Sequence, residues 1–445
     1  MKLEKFYSSV FKIALPIILQ NMLMTLVNML DTIMIGRLGK VEIAAVGLGN
    51  QIFFLLNMVL FGISSGGSIF IAQYFGKKDF AGIKRTVGIM VTFSFIAALI
   101  FSVGAVFFPS ALMRFYSKDA AVLALGEEYL RTVGLSYILI ALSFPFQFAF
   151  RSTNHVILPT VTTAVAFLVN ALLNYLLIFG FGSVSPMGVK GAAIATVISR
   201  FLEFAILIVY SYRKKFSSCG SFREMFSFDS SALAKFFKIA LPVIINESLW
   251  GFGVTMQNSI FSHAGTDIIA AFNITGSISQ LTWVFFIGVG NAAGIIIGHK
   301  IGEGNHDLAK AYAHRFAWFM PLCAVFLGML LFPLSALLPL LFKVGPEVIT
   351  QAQRMLYILM CLYPVNAFNM FFIVGLCRSG GDTVYAAVND IGWMYLISIP
   401  LACVVAFVLH APGHLIYMAI CTEQIFKASA GLLRLKSGKW YKVLS

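Results

Sequence analysis

Charge is what this sequence has least of. Only 11% of its 445 residues are charged, whereas a soluble globular domain carries about a quarter charged residues. Hydrophobic residues make up 59% of the chain. A chain with so thin a polar coat is not a water-soluble domain, and its composition indicates a membrane protein.

Three kinds of motif are also missing. The six cysteines form no CxxC pair and lie mostly within hydrophobic segments, which argues against a disulfide framework or a zinc ribbon. No GxxxxGK[ST] phosphate loop occurs, so we do not expect direct coupling to ATP. No His/Asp or Ser/His constellation falls in the middle of a hydrophobic segment. We therefore expect neither an enzyme nor a bound cofactor.

Long apolar runs recur from one end of the chain to the other. A helix needs about 20 apolar residues to cross a bilayer, whereas the strands of a membrane β-barrel are about 10 residues of alternating polarity. The continuous runs predict an all-α polytopic membrane protein. The twelve predicted spans are roughly 11–35, 47–75, 86–108, 129–151, 158–180, 190–212, 236–261, 268–298, 313–341, 350–376, 384–409 and 412–434.

The net charge of +14 is explained by membrane topology rather than by a nucleic-acid-binding site. With the N-terminus inside, most of the 32 basic residues fall in cytoplasmic segments, and we count Arg151, Arg378 and Lys427 among them. This bias is the positive-inside rule. We expect a multi-pass protein of the cell inner (plasma) membrane with both termini cytoplasmic, surrounded by membrane lipid and without a nucleic-acid partner.

The chain contains an internal repeat. "FKIALP" occurs at 11–16 and again at 237–242, a shift of 226, and "FRSTN" at 150–154 resembles "CRSGG" at 377–381 under a shift of 227. Each half holds six predicted spans, so both halves enter the membrane from the same side. Such repeats are related by a pseudo-two-fold axis along the membrane normal in some secondary transporters. We predict an N-terminal lobe at 1–212, a cytoplasmic linker at 213–235 and a C-terminal lobe at 236–445.

The first predicted span carries a polar stripe. Asn21, Asn28 and Asp31 lie on one side of this helix. Charged side chains within spans are rare and usually functional. The alternative is that Asp31 reaches the outer interface or pairs with Arg37 or Lys40. The stripe runs deeper than an interface, which favours a carboxylate that faces the lobe interior.

The second lobe places its acid differently. A shift of 226 maps Asn21 to Glu247 and Asp31 to Gln257, so the acid has moved by ten residues. The alternative for Glu247 is an interfacial acid paired with Lys238. We expect the two lobes not to bind the same ligand in the same way.

Further polar side chains fall in the first lobe. Asn170 and Asn174 are four residues apart and share a helix face, and Thr196 lies on the next span. With Asp31 they could form a hard-oxygen site for Na⁺, or Asp31 could carry a proton. The alternative for the two asparagines is hydrogen bonding between helices.

Four motifs in order resemble one known family. "DTIMIGRLG" after the first span, "MGVKGAAIATVISR" at the sixth, "RSGGDT" before the eleventh and "RLKSGKW" near the end resemble the multidrug and toxic compound extrusion (MATE) family, in its NorM-like bacterial branch. The resemblance covers essentially the whole chain. It implies twelve helices in two six-helix lobes and an antiporter coupled to Na⁺ or H⁺.

The resemblance also implies substrates and site residues. The exported compounds would be organic, cationic and amphipathic, and the protein would act as a monomer by alternating access. The family's acids match Asp31, Glu247 and Asp382, and its first-lobe cation site matches the set Asp31, Asn170, Asn174 and Thr196. Archaeal-type members carry an aspartate at the position of Asn174, so the choice between Na⁺ and H⁺ stays open. A second hypothesis is a lipid or lipid-linked oligosaccharide flippase of the same superfamily, which would need basic residues for phosphate.

Overall fold

The structure, a computed structural model, describes residues 3–182, 185–341 and 344–444. Residues 1 and 2, at the start of the predicted first lobe, and residue 445 lie outside the described part. The described residues are almost entirely helical, with one isolated antiparallel bridge between Gly381 and Tyr441.

The helices follow one another with short connections. The helices up to residue 229 are α1 (Leu3–Gly36), α2 (Lys40–Lys77), α3 (Phe80–Phe107), α4 (Pro109–Tyr116), α5 (Ala120–Val133), α6 (Ser136–Ser152), α7 (Ile157–Phe179), α8 (Gly188–Arg213) and α9 (Phe222–Phe226). Those after it are α10 (Ser230–Ala264), α11 (Thr266–Gly302), α12 (His306–Leu341), α13 (Pro346–Met370), α14 (Thr383–Trp393), α15 (Ile399–Cys403) and α16 (Gly413–Ser437). The π-helical segments Phe371–Cys377, Met394–Ser398 and Val404–Val408 continue α13, α14 and α15.

The twelve predicted spans all fall on helix, although 129–151 crosses the break between α5 and α6, and 350–376 and 384–409 run through π-helical segments. Within the described residues, ten segments have the length and apolar character to cross a membrane. The pair α5 and α6, bent by 48° at their junction, would make an eleventh. The predicted span at 412–434 coincides with α16, a helix of 25 residues. The prediction of an all-α polytopic membrane protein is confirmed.

The contacts divide the chain into two compact units. The first unit is residues 19–244, and the second unit is residues 1–18 together with 245–445. Both α1 and α10 therefore contribute residues to each unit. Membership of a compact unit and membership of a sequence repeat are different properties, so the predicted lobe boundaries stay a prediction.

The first unit is held together by apolar packing and by close helix contacts. Leu56, Leu60 and Tyr137 are wholly buried in its core. A Cβ atom on Gly62 would lie 2.7 Å from the Cα of Ile244 on α10, which shows how closely α2 and α10 approach. Small residues allow this kind of packing between membrane helices.

The second unit contains most of the irregular helix. Its π-helical segments each add a residue to the turn, and such segments often mark functional regions. Phe371 begins the first of them and stacks on Phe316 with ring centroids 5.9 Å apart. Both rings are wholly buried.

The predicted linker is ordered in its middle by the short helix α9. Ser221 and Glu224 form a reciprocal capping box at its start. Glu224 also accepts a hydrogen bond from Lys84 of α3 at 2.8 Å. The Lys84 ammonium and the hydrogen bonds from Ser221 lower the pKa of the Glu224 carboxyl from 4.5 to about 2.

A Cβ atom on Gly88 of α3 would lie 1.8 Å from the carbonyl oxygen of Met225, so the contact of α9 with α3 requires glycine there.

Candidate cation-binding site

Three helices of the first unit bring Asp31 and two asparagines together. The Nδ2 of Asn174 on α7 donates to Asp31 Oδ1 at 2.5 Å and to Asn170 Oδ1 at 3.0 Å. The Nδ2 of Asn170 in turn donates to Ser199 Oγ on α8 at 3.4 Å. Asn170 and Asn174 are buried, while Asp31 is partly buried. We call these four residues the Asp31 cluster.

One oxygen of this cluster has no hydrogen-bond partner among the described residues. Asn174 Oδ1 is buried and forms no hydrogen bond with any described residue. A buried acceptor without a partner is costly, and it usually marks a functional position or a bound species. The oxygens of carboxylates and amides are the ligands that hard cations prefer. The Asp31 cluster therefore has the chemistry of a small cation site.

The environment of Asp31 is not that of an interfacial acid. Its described hydrogen-bond partner is Asn174 of another helix, and it forms no described ion pair with Arg37 or Lys40. Arg200 is close enough to act on it electrostatically, but that guanidinium is held at 2.8 Å by Glu203. Asp31 therefore has no ion-pair partner among the described residues.

Thr196 contacts this cluster through its backbone, because its carbonyl accepts from the Ser199 hydroxyl at 2.9 Å, whereas its side chain forms no described hydrogen bond with the cluster. Its hydroxyl donates to the carbonyl of Ala192 on its own helix at 3.0 Å. The residue of α8 that contacts Asn170 is Ser199, one turn further along. Sequence reasoning missed Ser199, although its three-residue spacing from Thr196 places both on one face of α8.

The other two polar residues of the first stripe are placed differently. Asn21 is half-buried, and its Nδ2 is enclosed without a described hydrogen-bond partner. Asn28 is exposed, and its backbone carbonyl accepts from the Thr32 hydroxyl. No described hydrogen bond links either side chain to Asp31.

A second polar group of the first unit surrounds Arg151. Gln20 Oε1 accepts from Arg151 Nη2 at 2.7 Å, and Gln20 Nε2 donates to Gln147 and Thr163 at 3.1 Å each. Gln147 and Thr163 both donate to Glu203 Oε1, at 3.3 Å and 2.9 Å. All five side chains are buried. The cost of burying these polar groups is offset because they form hydrogen bonds with one another.

The acids of the second unit are paired with cations. Glu247 of α10 forms a buried ion pair with Arg378. Asp382 pairs with Arg434 at 2.8 Å and with Lys442 at 3.3 Å. Gln257, the repeat counterpart of Asp31, is buried on α10 and carries no charge.

Three basic residues assigned to cytoplasmic segments are in fact enclosed by protein. Arg151, Arg378 and Lys427 are 6%, 5% and 2% exposed. Lys427 bridges Asp390 at 2.8 Å and Glu423 at 3.2 Å. Lys427 is therefore an enclosed and paired charge, which its assignment to a cytoplasmic segment did not anticipate. The signal that could have found it is its position inside the predicted span 412–434, where a buried lysine requires an acidic partner.

Comparison with known proteins agrees with this architecture. A protein-family model described as MatE matches residues 16–176 and 242–407. The chain is 26% identical over 394 residues to the probable multidrug resistance protein YoeA of Bacillus subtilis, which covers 88% of this chain and 85% of that protein. It is 24% identical to the probable multidrug resistance protein NorM of Thermotoga maritima, over 97% and 92% of the two chains.

A solved structure shares the fold. The crystal structure of a mutant of the Vibrio cholerae MATE transporter VcmN superposes with a TM-score of 0.88, covering 98% of this chain and 97% of that one at 16% identity. The predicted fold of two six-helix lobes and the family resemblance read from the motifs are both confirmed.

Proposed function

Since the chain belongs to the MatE family, we propose that it is an antiporter that exchanges Na⁺ or H⁺ for organic, cationic amphipathic compounds. The export would proceed by alternating access, as in other secondary transporters built from parallel repeats. The relatives YoeA and NorM, both probable multidrug resistance proteins, support export of several compounds rather than one.

The observation that carries the proposal is the Asp31 cluster. A carboxylate on a spanning helix is expensive to keep unless it has a function. Asp31 has a neutral amide as its described hydrogen-bond partner, and next to it lies the unpartnered Oδ1 of Asn174. A cation bound there would neutralise the carboxylate and satisfy the amide oxygen together.

The two coupling ions would use Asn174 in different ways. For Na⁺, the side-chain amide of Asn174 must turn, since Nδ2 now points at Asp31 and a metal ion requires oxygen. For H⁺, the protonated Asp31 carboxyl would act as a donor, and it could donate to the same Oδ1 after the same turn. Asn174 is therefore the residue that would change hydrogen-bond partner on loading with either ion.

Loading can drive transport only through a difference in affinity. An ion shifts a conformational equilibrium by no more than its differential affinity for the two states. α1 holds Asp31, and α7 holds both asparagines, so loading alters the contact between these two helices. We infer that the packing of the first unit changes between the loaded and the empty state, and that this change couples ion entry to drug exit.

The flippase hypothesis is not favoured. It requires basic side chains that are available for a lipid phosphate. The buried Arg151, Arg378 and Lys427 are each engaged, by Gln20, by Glu247 and by two acids respectively.

The proposal is tested by transport in proteoliposomes loaded with a cationic dye. An inward gradient of Na⁺ or of H⁺, imposed separately, should drive dye export by the parent protein under one of the two gradients. Asp31→Asn should lose the gradient-dependent part of the rate. Asp267→Asn, an equally conservative change of an exposed acid in the first turn of α11, is the matched control and should export as the parent does. Equal rates for Asp31→Asn and the parent would show that Asp31 does not couple the ion.

A further inference from the structure

A group of buried charges in the second unit does not sum to zero. We call its members the Lys427 cluster: Asn246, Glu247, Arg378, Asp390, Glu423 and Lys427. It contains three carboxylates and two cationic side chains, so its formal charge is −1. None of these charged side chains is more than 13% exposed. An uncompensated charge within a membrane protein is costly, and it calls for a further positive species.

The cluster is continuous across three helical segments. Lys427 of α16 donates to Asp390 Oδ1 of α14 at 2.8 Å. The other oxygen of Asp390 accepts from Asn246 Nδ2 of α10 at 3.2 Å. The next residue, Glu247, pairs with Arg378. The excess charge is therefore shared by contacting groups.

One carboxylate in this cluster is incompletely satisfied. Glu423 Oε1 accepts from Lys427 at 3.2 Å and from Gln424 at 3.1 Å. Glu423 Oε2 is buried and has no hydrogen-bond partner among the described residues, and Glu423 is only 5% exposed. The Ser398 hydroxyl lies near Glu423 and donates its hydrogen to the carbonyl of Ile420 at 2.9 Å. The Oδ1 of Asn246 is likewise buried without a described partner.

The neighbouring cations do not supply the missing charge. Arg434 and Lys442 pair with Asp382, which lies eight residues before Asp390 and so about 12 Å away along the chain's helical rise. Lys442 is 57% exposed on its side chain, so water screens it. The excess negative charge stays with the Lys427 cluster.

We propose that Glu423 is a proton-binding carboxyl of the second unit and that the proton on it neutralises the Lys427 cluster. A proton suits this position better than Na⁺. The Lys427 ammonium, 3.2 Å from Glu423 Oε1, repels a metal ion at that carboxylate, and Na⁺ would also need a shell of oxygen ligands.

Several groups face Glu423 and influence the pH at which it loses a proton. They are Lys427 and the Cys421 thiol on its own helix, Asp390 on α14 and Ser398 in the adjacent π-helical segment. Asp390 favours the protonated form of Glu423, and Lys427 opposes it. The proton is bound at lower pH and leaves as the pH rises. This inference does not rest on the proposed function, because Asp31 and its partners belong to the first unit.

Infrared difference spectroscopy of the full chain in lipid tests the proposal without transport. The Asp31→Asn background removes the other candidate carboxyl. We expect the carbonyl band of a protonated carboxylic acid to disappear as the pH is raised, and we expect Glu423→Gln to lack this band. Lys427→Met removes the opposing charge, so in that variant the band should persist to higher pH. Glu303→Gln changes an exposed partner of Lys300 and should leave the band unchanged.

Two results would overturn the assignment. One is a titrating band of equal size in Glu423→Gln and in the background protein. The other is loss of the band at constant pH when Na⁺ is added, since that would identify a metal ion as the occupant. If Glu423→Gln does not fold, Lys427→Met decides alone, because an unshifted titration there contradicts a proton on Glu423.

Discussion

At the scale of single residues, two buried arginines show how one sequence position serves different chemistry in each half. Arg151 and Arg378 are equivalent under the repeat shift of 227. Arg151 binds the neutral Gln20, whereas Arg378 binds the acid Glu247. Gln20 corresponds under the shift of 226 to Asn246, the neighbour of Glu247. Both arginines therefore bind a side chain on the same turn of the first helix of their repeat. Arg151 binds a neutral amide there, whereas Arg378 forms an ion pair.

Arg378→Met should destabilise the protein strongly. It leaves Glu247 buried without its cationic partner, and breaking a buried pair from one side costs about 3–5 kcal/mol. The apparent Tm in detergent should fall, and the additional change Glu247→Gln should restore much of it. Lys300→Met is the control, since it breaks an exposed pair with Glu303 worth at most about 1 kcal/mol. Equal falls in Tm for Arg378→Met and Lys300→Met would contradict a stabilising role of the buried pair between Arg378 and Glu247.

The sequence identified part of the Asp31 cluster and missed the rest for a definite reason. The spacing of Asn170 and Asn174 fixes their common face, because the period of one helix is known. Which residue on the shared face of α8 meets Asn170 depends on the position of α8 along its axis relative to α7, which spacing within one helix does not determine. Thr196 was therefore expected where Ser199 is found.

At the scale of elements, hydropathy located the spans but not their ends. α2 has 38 residues, about 57 Å of helix, whereas the bilayer core is about 30 Å thick. The predicted span at 47–75 is its apolar part. The continuation past the membrane surface, the break between α5 and α6 and the π-helical segments depend on packing and hydrogen bonding, which apolar length alone does not report.

Gly88→Ala should release α9 from α3. The new Cβ would meet the carbonyl oxygen of Met225 at 1.8 Å, a backbone atom that has little room to move. Hydrogen exchange of the amides in Phe222–Phe226 should become faster. Gly104→Ala lies on the same helix, where the nearest atom to a new Cβ is Leu112 Cδ1 at 3.7 Å, and it should leave that exchange unchanged. Slow exchange in Gly88→Ala would show that the contact with Met225 does not hold α9.

The docking of α9 should also depend on pH in a defined window. The folded-state pKa of Glu224 is lowered from 4.5 to about 2, so its pair with Lys84 contributes above pH 4.5 and is lost as the pH falls towards 2. The pair is exposed, so salt should weaken it at neutral pH. Exchange of the α9 amides, corrected for intrinsic rates, should accelerate in this window. Glu224→Gln should remove the acceleration, and an unchanged pH profile in that variant would contradict the role of this carboxyl.

At the scale of the whole molecule, the two repeats share a fold but differ in charge. The first unit holds Asp31 among neutral amides, while Glu247 and Asp382 in the second unit already have cationic partners. An acid without a cationic partner binds a cation readily, whereas a paired acid must first release its cationic side-chain partner. The repeat was evident from the sequence, but this difference was not, because the partners Arg378 and Arg434 lie far from their acids along the chain.

The central claim is that an ion at Asp31 and the exported compound compete through the conformation of the protein. Linkage is reciprocal, so the ion must weaken binding of the compound by the same factor as the compound weakens binding of the ion. The most direct measurement is the Kd of a cationic dye, read by fluorescence anisotropy, as Na⁺ and pH are varied in turn. The account predicts that the Kd of the parent rises with one of the two ions and that the Kd of Asp31→Asn does not respond. A dye Kd that responds equally in the parent and in Asp31→Asn would contradict it.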